Sequence, residues 1–475
     1  MFEKRGREPR QEQFWIETKA LPAATPSRFY ERVNATLAQI GFAQEVWRIC
    51  EPAYAQAARG GRPGIDPVVY LKMLMVGFFE NLPSERAIAS RCADSLSIRG
   101  FLGYEDLSDA TPDHSSLSVI RSRLSAEQFE ALHQILLRAL HAHGLLRGRR
   151  LGIDSSVIEA NASLRGLEHR NTAESYWDYV RGLAAAAGVN PDDPKAVRRF
   201  DKQRSGRKTS NAEWVNPHDP EAKVGRTKDG ACDMIYKPEH VSDLESGAIV
   251  SAEVRPGDAS DSEGAATRVL AAIGTLVEVT PPEAHAKLGE ELGSDEGYFA
   301  LREMARLQSL GIRTVVSDPQ AGRRRQDAPV EDKRVLARAR RAVQSASGKA
   351  LLRKRGEYLE RAFAHVLDQG GLRRATLKGC ANLSKRYLMG ALSFNLSLLL
   401  RTLFGVGTAK QWLAAPRRVV WAVISFLRLL TELLTTSWRA NTLARACFDC
   451  NEEQSAPALP AFPVPLAHTG CSTGC

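Results

Sequence analysis

At Arg147 the spacing of apolar residues changes period, and a chain with two periods must build two kinds of layer. Before that point, from about Pro26 to Leu145, apolar side chains recur at helical spacing. In DPVVYLKMLMVGFFENLPSERAIASRCADSLSIRGFLGY (Asp66 to Tyr104), Asp66 reads as a helix cap followed by Pro67 in the first turn. Ser84 reads as a second cap. In TPDHSSLSVIRSRL (Thr111 to Leu124) a turn leads into a helix that carries Arg121 and Arg123. Such a basic multi-helix region is either a DNA-binding module or a plain bundle, and composition does not choose between them.

After Arg147 the run RRLGIDSSVIEAN reads as a strand with an acid, Asp154, near its middle. Residues Asp233 to Asp261 read as two strands joined by the turn DLESG, and Glu263 to Val279 as a helix. Leu292 to Asp318 reads as short strand, turn, helix and the β-branched strand IRTVV. Val330 to Leu367 reads as helical with a break at Ser347-Gly348. Strands first gathered and then alternating with helices predict an α/β domain. The expected division is a helical region over 1–145, an α/β region over 146–405, and hydrophobic helices with a Pro/Cys tail over 406–475.

Two segments interrupt the α/β pattern. Leu164 to Gly230 is basic and turn-rich, an insertion or long loop, and Trp214 within it is either a stacking platform for a base or an apolar anchor. Ala321 to Arg341 is arginine-dense and includes Arg323, Arg324 and Arg325. Either segment is a solvated face or a contact for phosphates. The whole chain has 65 Lys and Arg against 55 Asp and Glu, a net charge of +10, which suits a polyanionic partner. The charged start MFEKRGREPRQEQFW is not an export signal, and Val419 to Leu434 is interrupted by Arg428 and Glu432. A cytoplasmic chain with no membrane span and eight reduced cysteines is therefore expected. Cys447-x2-Cys450 and Cys471-x3-Cys475 have zinc-compatible spacing, but the proline-rich sequence between them favours a loose tail.

Three acids stand out on this frame. Asp154 lies on the first strand, Asp295 ends the short strand of LGSDEGYFA, and Glu360 lies on the helix after the last strand. Strand ends and following helices can bring such groups to one sheet edge. Carboxylates converging there repel one another unless cations lie between them, and hard oxygen ligands suit Mg²⁺. Two such ions about 4 Å apart would activate a water or a 3′-hydroxyl and stabilise the leaving oxygen of a phosphodiester. Each acid also has an ordinary reading. Asp154 could cap the following serines, Asp295 the helix near Tyr298, and Glu360 could pair with Arg361 or Lys354.

These residues and their surroundings resemble the DDE transposases of bacterial insertion sequences. The phrases that carry the resemblance are GIDSSVIEANAS, YKPEHVSDLESGAIVSAEVRPGDASD, SDEGYFA and YLERAFAHVLDQGGLRRATLKGCANLSKRYLMGALSFNL. The helical stretch from Asp66 to Leu124 resembles the domain that precedes catalysis in the same group, so most of Asp66 to Leu400 is covered. The resemblance implies a ribonuclease-H-like mixed sheet flanked by helices, behind an all-helical N-terminal domain. It implies Asp154, Asp295 and Glu360 as catalytic metal ligands for two Mg²⁺ or Mn²⁺ ions. Glu357, one turn from Glu360, competes for the third place, because Arg353-x3-Glu357 fits one step of the group's tyrosine–arginine–glutamate–lysine spacing. The implied activity is cleavage of terminal inverted repeats and joining to target DNA by a nucleoid-associated homodimer. Arg121, Arg123, Arg323, Arg324, Arg325, Arg373, Arg374 and Lys378 are the expected DNA contacts, with Tyr298 near them; His365 is either another such contact or, on its otherwise apolar stretch, a packed core histidine. A nuclease without strand joining and an inactive DNA-binding repressor remain alternatives.

Overall fold

The change of period at Arg147 is a change of layer. The computed structural model describes residues 25–55, 64–104, 106, 108–205, 210–227, 229–320 and 329–412. The chain divides into two compact units, Met1–Leu413 and Ala414–Cys475, the second wholly outside the described residues. Arg323, Arg324, Arg325, the stretch Val419 to Leu434 and the four C-terminal cysteines also lie outside them.

Before the first strand come α1 (Thr25–Gln39), α2 (Phe42–Ala55), α3 (Pro67–Phe79), α4 (Glu85–Asp94), α5 (Leu96–Leu102), α6 (His114–Arg123) and α7 (Ala126–Ala142). Both expected caps are present. Asp66 accepts from the Val68 amide with Pro67 in the first turn, and Ser84 accepts from the Ala87 amide. Ser125 and Gln128 close a reciprocal capping box on α7, satisfying two amides that the helix itself leaves free.

The α/β region begins with β1 (Arg150–Ser155) and β2 (Ile158–Glu159), followed by β3 (Glu168–His169), α8 (Tyr176–Ala186), α9 (Pro194–Gln203), β4 (Trp214–Val215) and β5 (Lys223–Arg226). Next come β6 (Cys232–Asp243), β7 (Ile249–Pro256), α10 (Ala265–Val279), β8 (Glu291–Ser294), α11 (Leu301–Ser309) and β9 (Arg313–Val316). The described chain closes with α12 (Val330–Gln344), α13 (Ala346–Phe363), a π-helical turn (Ala364–Gln369) and α14 (Cys380–Phe404). The main sheet is mixed. β7 pairs antiparallel with β6 and β6 with β1, whereas β1, β8 and β9 run parallel. The helix break falls at Ser345 rather than Ser347-Gly348, because Ser345 caps the Gly348 amide. A Cβ on Gly348 would lie 1.9 Å from the Ala342 carbonyl oxygen, so only glycine lets the two helices meet so tightly.

The segment expected as an insertion or long loop is folded. α8 and α9 enclose Val180, Ala184 and Val197, with Tyr176, Trp177 and Phe200 packed against them. Trp214 is 5% exposed and meets Tyr176, Tyr179 and His169 edge-on, so it is the apolar anchor. These aromatics are spaced among charges, which hides a small core from a reading by composition.

One core runs from Phe29, Leu71 and Leu136 through Tyr236 and Ile249 to Val366 and Leu392, joining the N-terminal helices to the sheet through α14. The stretch Cys380–Trp412 is long and apolar enough to cross a membrane, but most of it is buried inside the protein. It is the helix around which the layers pack. Asn395 fixes it, accepting from the Ile249 amide and donating to the Ile249 carbonyl and to His133.

Candidate active site

The same four-residue pattern, Leu-Gly-x-Asp, occurs at Leu151–Asp154 on β1 and at Leu292–Asp295, whose aspartate directly follows β8. β1 and β8 are parallel neighbours, and their register sets Leu151 beside Leu292 and Gly152 beside Gly293. Side chains two apart share a face of a strand, so both glycines and both aspartates face the same helix, α13. A Cβ on Gly152 would lie 2.7 Å from Leu244 Cδ2 and 2.8 Å from Leu359 Cδ1, so glycine lets α13 come down onto the strand. Neighbouring strands are about 4.8 Å apart, close enough for the two carboxylates to act on one ion.

α13 delivers a cation there. Arg355 Nη2 lies 2.7 Å from Asp154 Oδ2 and 3.6 Å from Asp295 Oδ2. Burial pushes the Asp154 carboxyl up to about 6; Arg355 pulls it down and Asp295 pushes it further up. A single guanidinium thus leaves the pair short of positive charge, and two hard carboxylate donors fit a divalent cation. The ordinary roles are present as well. Asp154 Oδ1 accepts from the Ser155 amide at 2.9 Å, and Asp295 Oδ1 caps the turn Glu296–Tyr298 through the Gly297 amide at 3.1 Å.

A second polar group braces the strand end. Ser155 donates to Asp261 Oδ1 at 2.9 Å, and Lys237 Nζ lies 3.1 Å from the same oxygen. Glu239, buried on β6, accepts from Arg255 at 2.9 Å, Tyr298 at 2.8 Å and Arg268. Tyr298 is 3% exposed, so it is not a phosphate contact but a tether holding the turn behind Asp295. Burial and the neighbouring Glu239 push its phenol far up, and it stays a donor.

Glu360 is not gathered with the two aspartates. It is exposed on α13, and its carboxylate makes no hydrogen bond or ion pair among the described residues. Among those residues no group of three or more His, Cys, Asp and Glu side chains converges as a metal site. The reason is the helix face: Leu359 meets the sheet, and at 100° per residue Glu360 is turned about 100° away. Glu357 is turned roughly 160° away and pairs with Arg361 at 2.6 Å. Glu360 is the nearer of the two rivals.

The basic candidates separate by exposure. Arg121 is 8% exposed, and its guanidinium ties α6 to α4 through Glu85, with Ser118 at 2.9 Å; it is a structural link. Arg123 stacks on Tyr54 at 4.6 Å from the ring centroid. Arg373 pairs with Asp368 at 2.7 Å and reaches the Val157 carbonyl at 3.0 Å, just past the Asp154 strand. Arg374 and Lys378 are exposed. His365 packs against Phe394, and burial lowers its imidazole toward neutrality. In the folded insertion, a cavity of about 650 Å³ is lined by Arg165, Arg181, Arg198 and Lys202, by the acids Asp192 and Asp201, and by Trp177, so its lining carries a net excess of positive charge.

Residues 21–123 match a family described as Transposase domain (DUF772). The match supports a transposase role. It covers the helical region that carries α1 to α6 and stops before the strand of Asp154. No curated protein and no solved structure matches the chain.

Arg355 was missed by sequence reasoning, yet a signal existed. On α13 it falls in the buried stripe of Leu351, Leu359 and Ala362, where a charge needs a buried partner. The repeated Leu-Gly-x-Asp was a second such signal.

Proposed function

We propose that the chain is a DDE-type transposase with a ribonuclease-H-like catalytic sheet. It would cleave the ends of its own element and join them to target DNA. The observation that carries the reading is the pair Asp154, on β1, and Asp295, directly after its parallel neighbour β8, both held by Arg355 and short of positive charge beside a transposase-domain match. Asp154 and Asp295 would hold Mg²⁺ or Mn²⁺, with Glu360 completing the ligand set once DNA draws its side chain inward. When bound, two such ions supply an activated water or 3′-hydroxyl and neutralise the leaving oxygen. Fixing one acid on a strand and the other directly at a strand end would keep them at one spacing through cleavage and joining. Arg373, Arg374 and Lys378 would grip phosphates beside the acids, and the basic cavity of the insertion would hold flanking DNA. The helical region would recognise the repeats, and two copies would pair the two ends.

The test is a terminal-repeat duplex incubated with full-length protein and Mg²⁺. Nicked ends and joined product are expected, both lost in Asp154→Asn and Asp295→Asn while repeat binding persists. Cleavage without joining of a pre-cut 3′-hydroxyl end would leave a nuclease. The exposed position of Glu360 favours one further alternative, a DNA-binding copy that does not cleave. Repeat binding with no metal-dependent product would establish that reading instead.

A further inference from the structure

The two aspartates already hold a cation of the protein's own. Arg355 Nη2 contacts Asp154 at 2.7 Å and Asp295 at 3.6 Å, and these are its charged partners among the described residues. Its side chain is 15% exposed, and its Nε is buried without a hydrogen-bond partner. The guanidinium rises from the apolar stripe of α13, so the helix cannot easily turn it to solvent. Arginine cannot shed its charge by losing a proton at any working pH. A divalent ion seeking the same two oxygens therefore has to displace it.

We propose that Arg355 is a positioning residue that keeps Asp154 and Asp295 paired in the metal-free protein and competes with divalent cation for them. The inference rests on the metal-site reading given above. Without the guanidinium, two neighbouring carboxylates in a partly buried site would repel and spread apart. With it, the pair is preassembled but blocked. A DNA phosphate offers the displaced guanidinium a new bidentate partner, so DNA and metal should each strengthen binding of the other, and by the same factor. The device would hold back metal, and hence cleavage, until DNA is seated.

The test is calorimetric titration of Mn²⁺ into the full-length protein, as wild type, Arg355→Gln and Asp154→Asn, with and without duplex DNA. Removing a unit charge beside the site should tighten Mn²⁺ binding by about tenfold in Arg355→Gln. Added DNA should tighten binding in the wild type and much less in the variant. If Arg355→Gln does not fold, Arg355→Met suits the apolar stripe and carries the same readout. Mn²⁺ binding in Arg355→Gln that is equal to or weaker than wild type overturns the inference alone, provided Asp154→Asn abolishes binding. Wild-type binding retained in Asp154→Asn overturns the metal site itself, and the inference with it.

Discussion

At the scale of single residues the site turns on Asp154. Its carboxyl is raised to about 6 from 3.8, chiefly by burial. The folded value lies above the unfolded one, so the unfolded chain releases this proton first and stability falls as pH rises from about 4 to about 6. Above pH 6 the folded protein carries the buried charge at a cost on the order of 3 kcal/mol. Asp154→Asn should therefore abolish activity yet leave the melting temperature at pH 7.5 equal or higher; a marked drop in a thermal melt would contradict the burial argument. Metal binding has the opposite dependence on pH, because it requires the carboxylate. Mn²⁺ affinity, measured by titration, should fall about tenfold per pH unit below about 6. That Asp154 and Asp295 lie together was legible in the sequence, because one sits on a strand and the other directly ends one. Arg355 was not, since three basic residues in Arg353-Lys354-Arg355 look alike until the buried face of the helix is known.

At the scale of elements, the site depends on how closely α13 lies on β1. Gly152→Ala would push its Cβ against Leu244 and Leu359. Overpacking of this kind costs roughly 1–3 kcal/mol, and lifting α13 would withdraw Arg355 from the acids. Denaturant unfolding should report that loss; unchanged stability would mean that the helix does not need the glycine. The strands, caps and most helices followed from period and capping chemistry. The folded insertion did not, because Val180, Val197 and Trp214 are scattered among charges and no long apolar run announces their core. Its basic cavity gives a separate prediction. Arg198→Ala with Lys202→Ala should weaken DNA binding across sequences alike and lower the salt slope by about two charges. An unchanged slope in a salt-dependent binding series would remove the insertion from the DNA interface.

At the scale of the described molecule, the helical region and the sheet are parts of one packed body rather than two. α14 touches both, and Asn395 joins the Ile249 backbone of β7 to His133 of α7. Burial lowers the His133 imidazole to about 4, so it stays neutral in this contact. Sequence reading set a boundary at residue 145 because the period changes there, but a change of period marks a new layer and not the end of a core. A fragment starting at residue 146 should therefore expose the α14 face that packs on α3 and α7 and fail to melt cooperatively. On the transposase reading proposed above, the DNA-recognising helices and the catalytic sheet would belong to one packed body.

The most direct measurement is an anomalous diffraction map of crystals of the full-length protein soaked with Mn²⁺ in the presence of terminal-repeat DNA. A peak is expected within about 2.5 Å of oxygens from both Asp154 and Asp295, with Arg355 displaced from between them. A strong peak elsewhere, with the two aspartates still clasping Arg355, would contradict it.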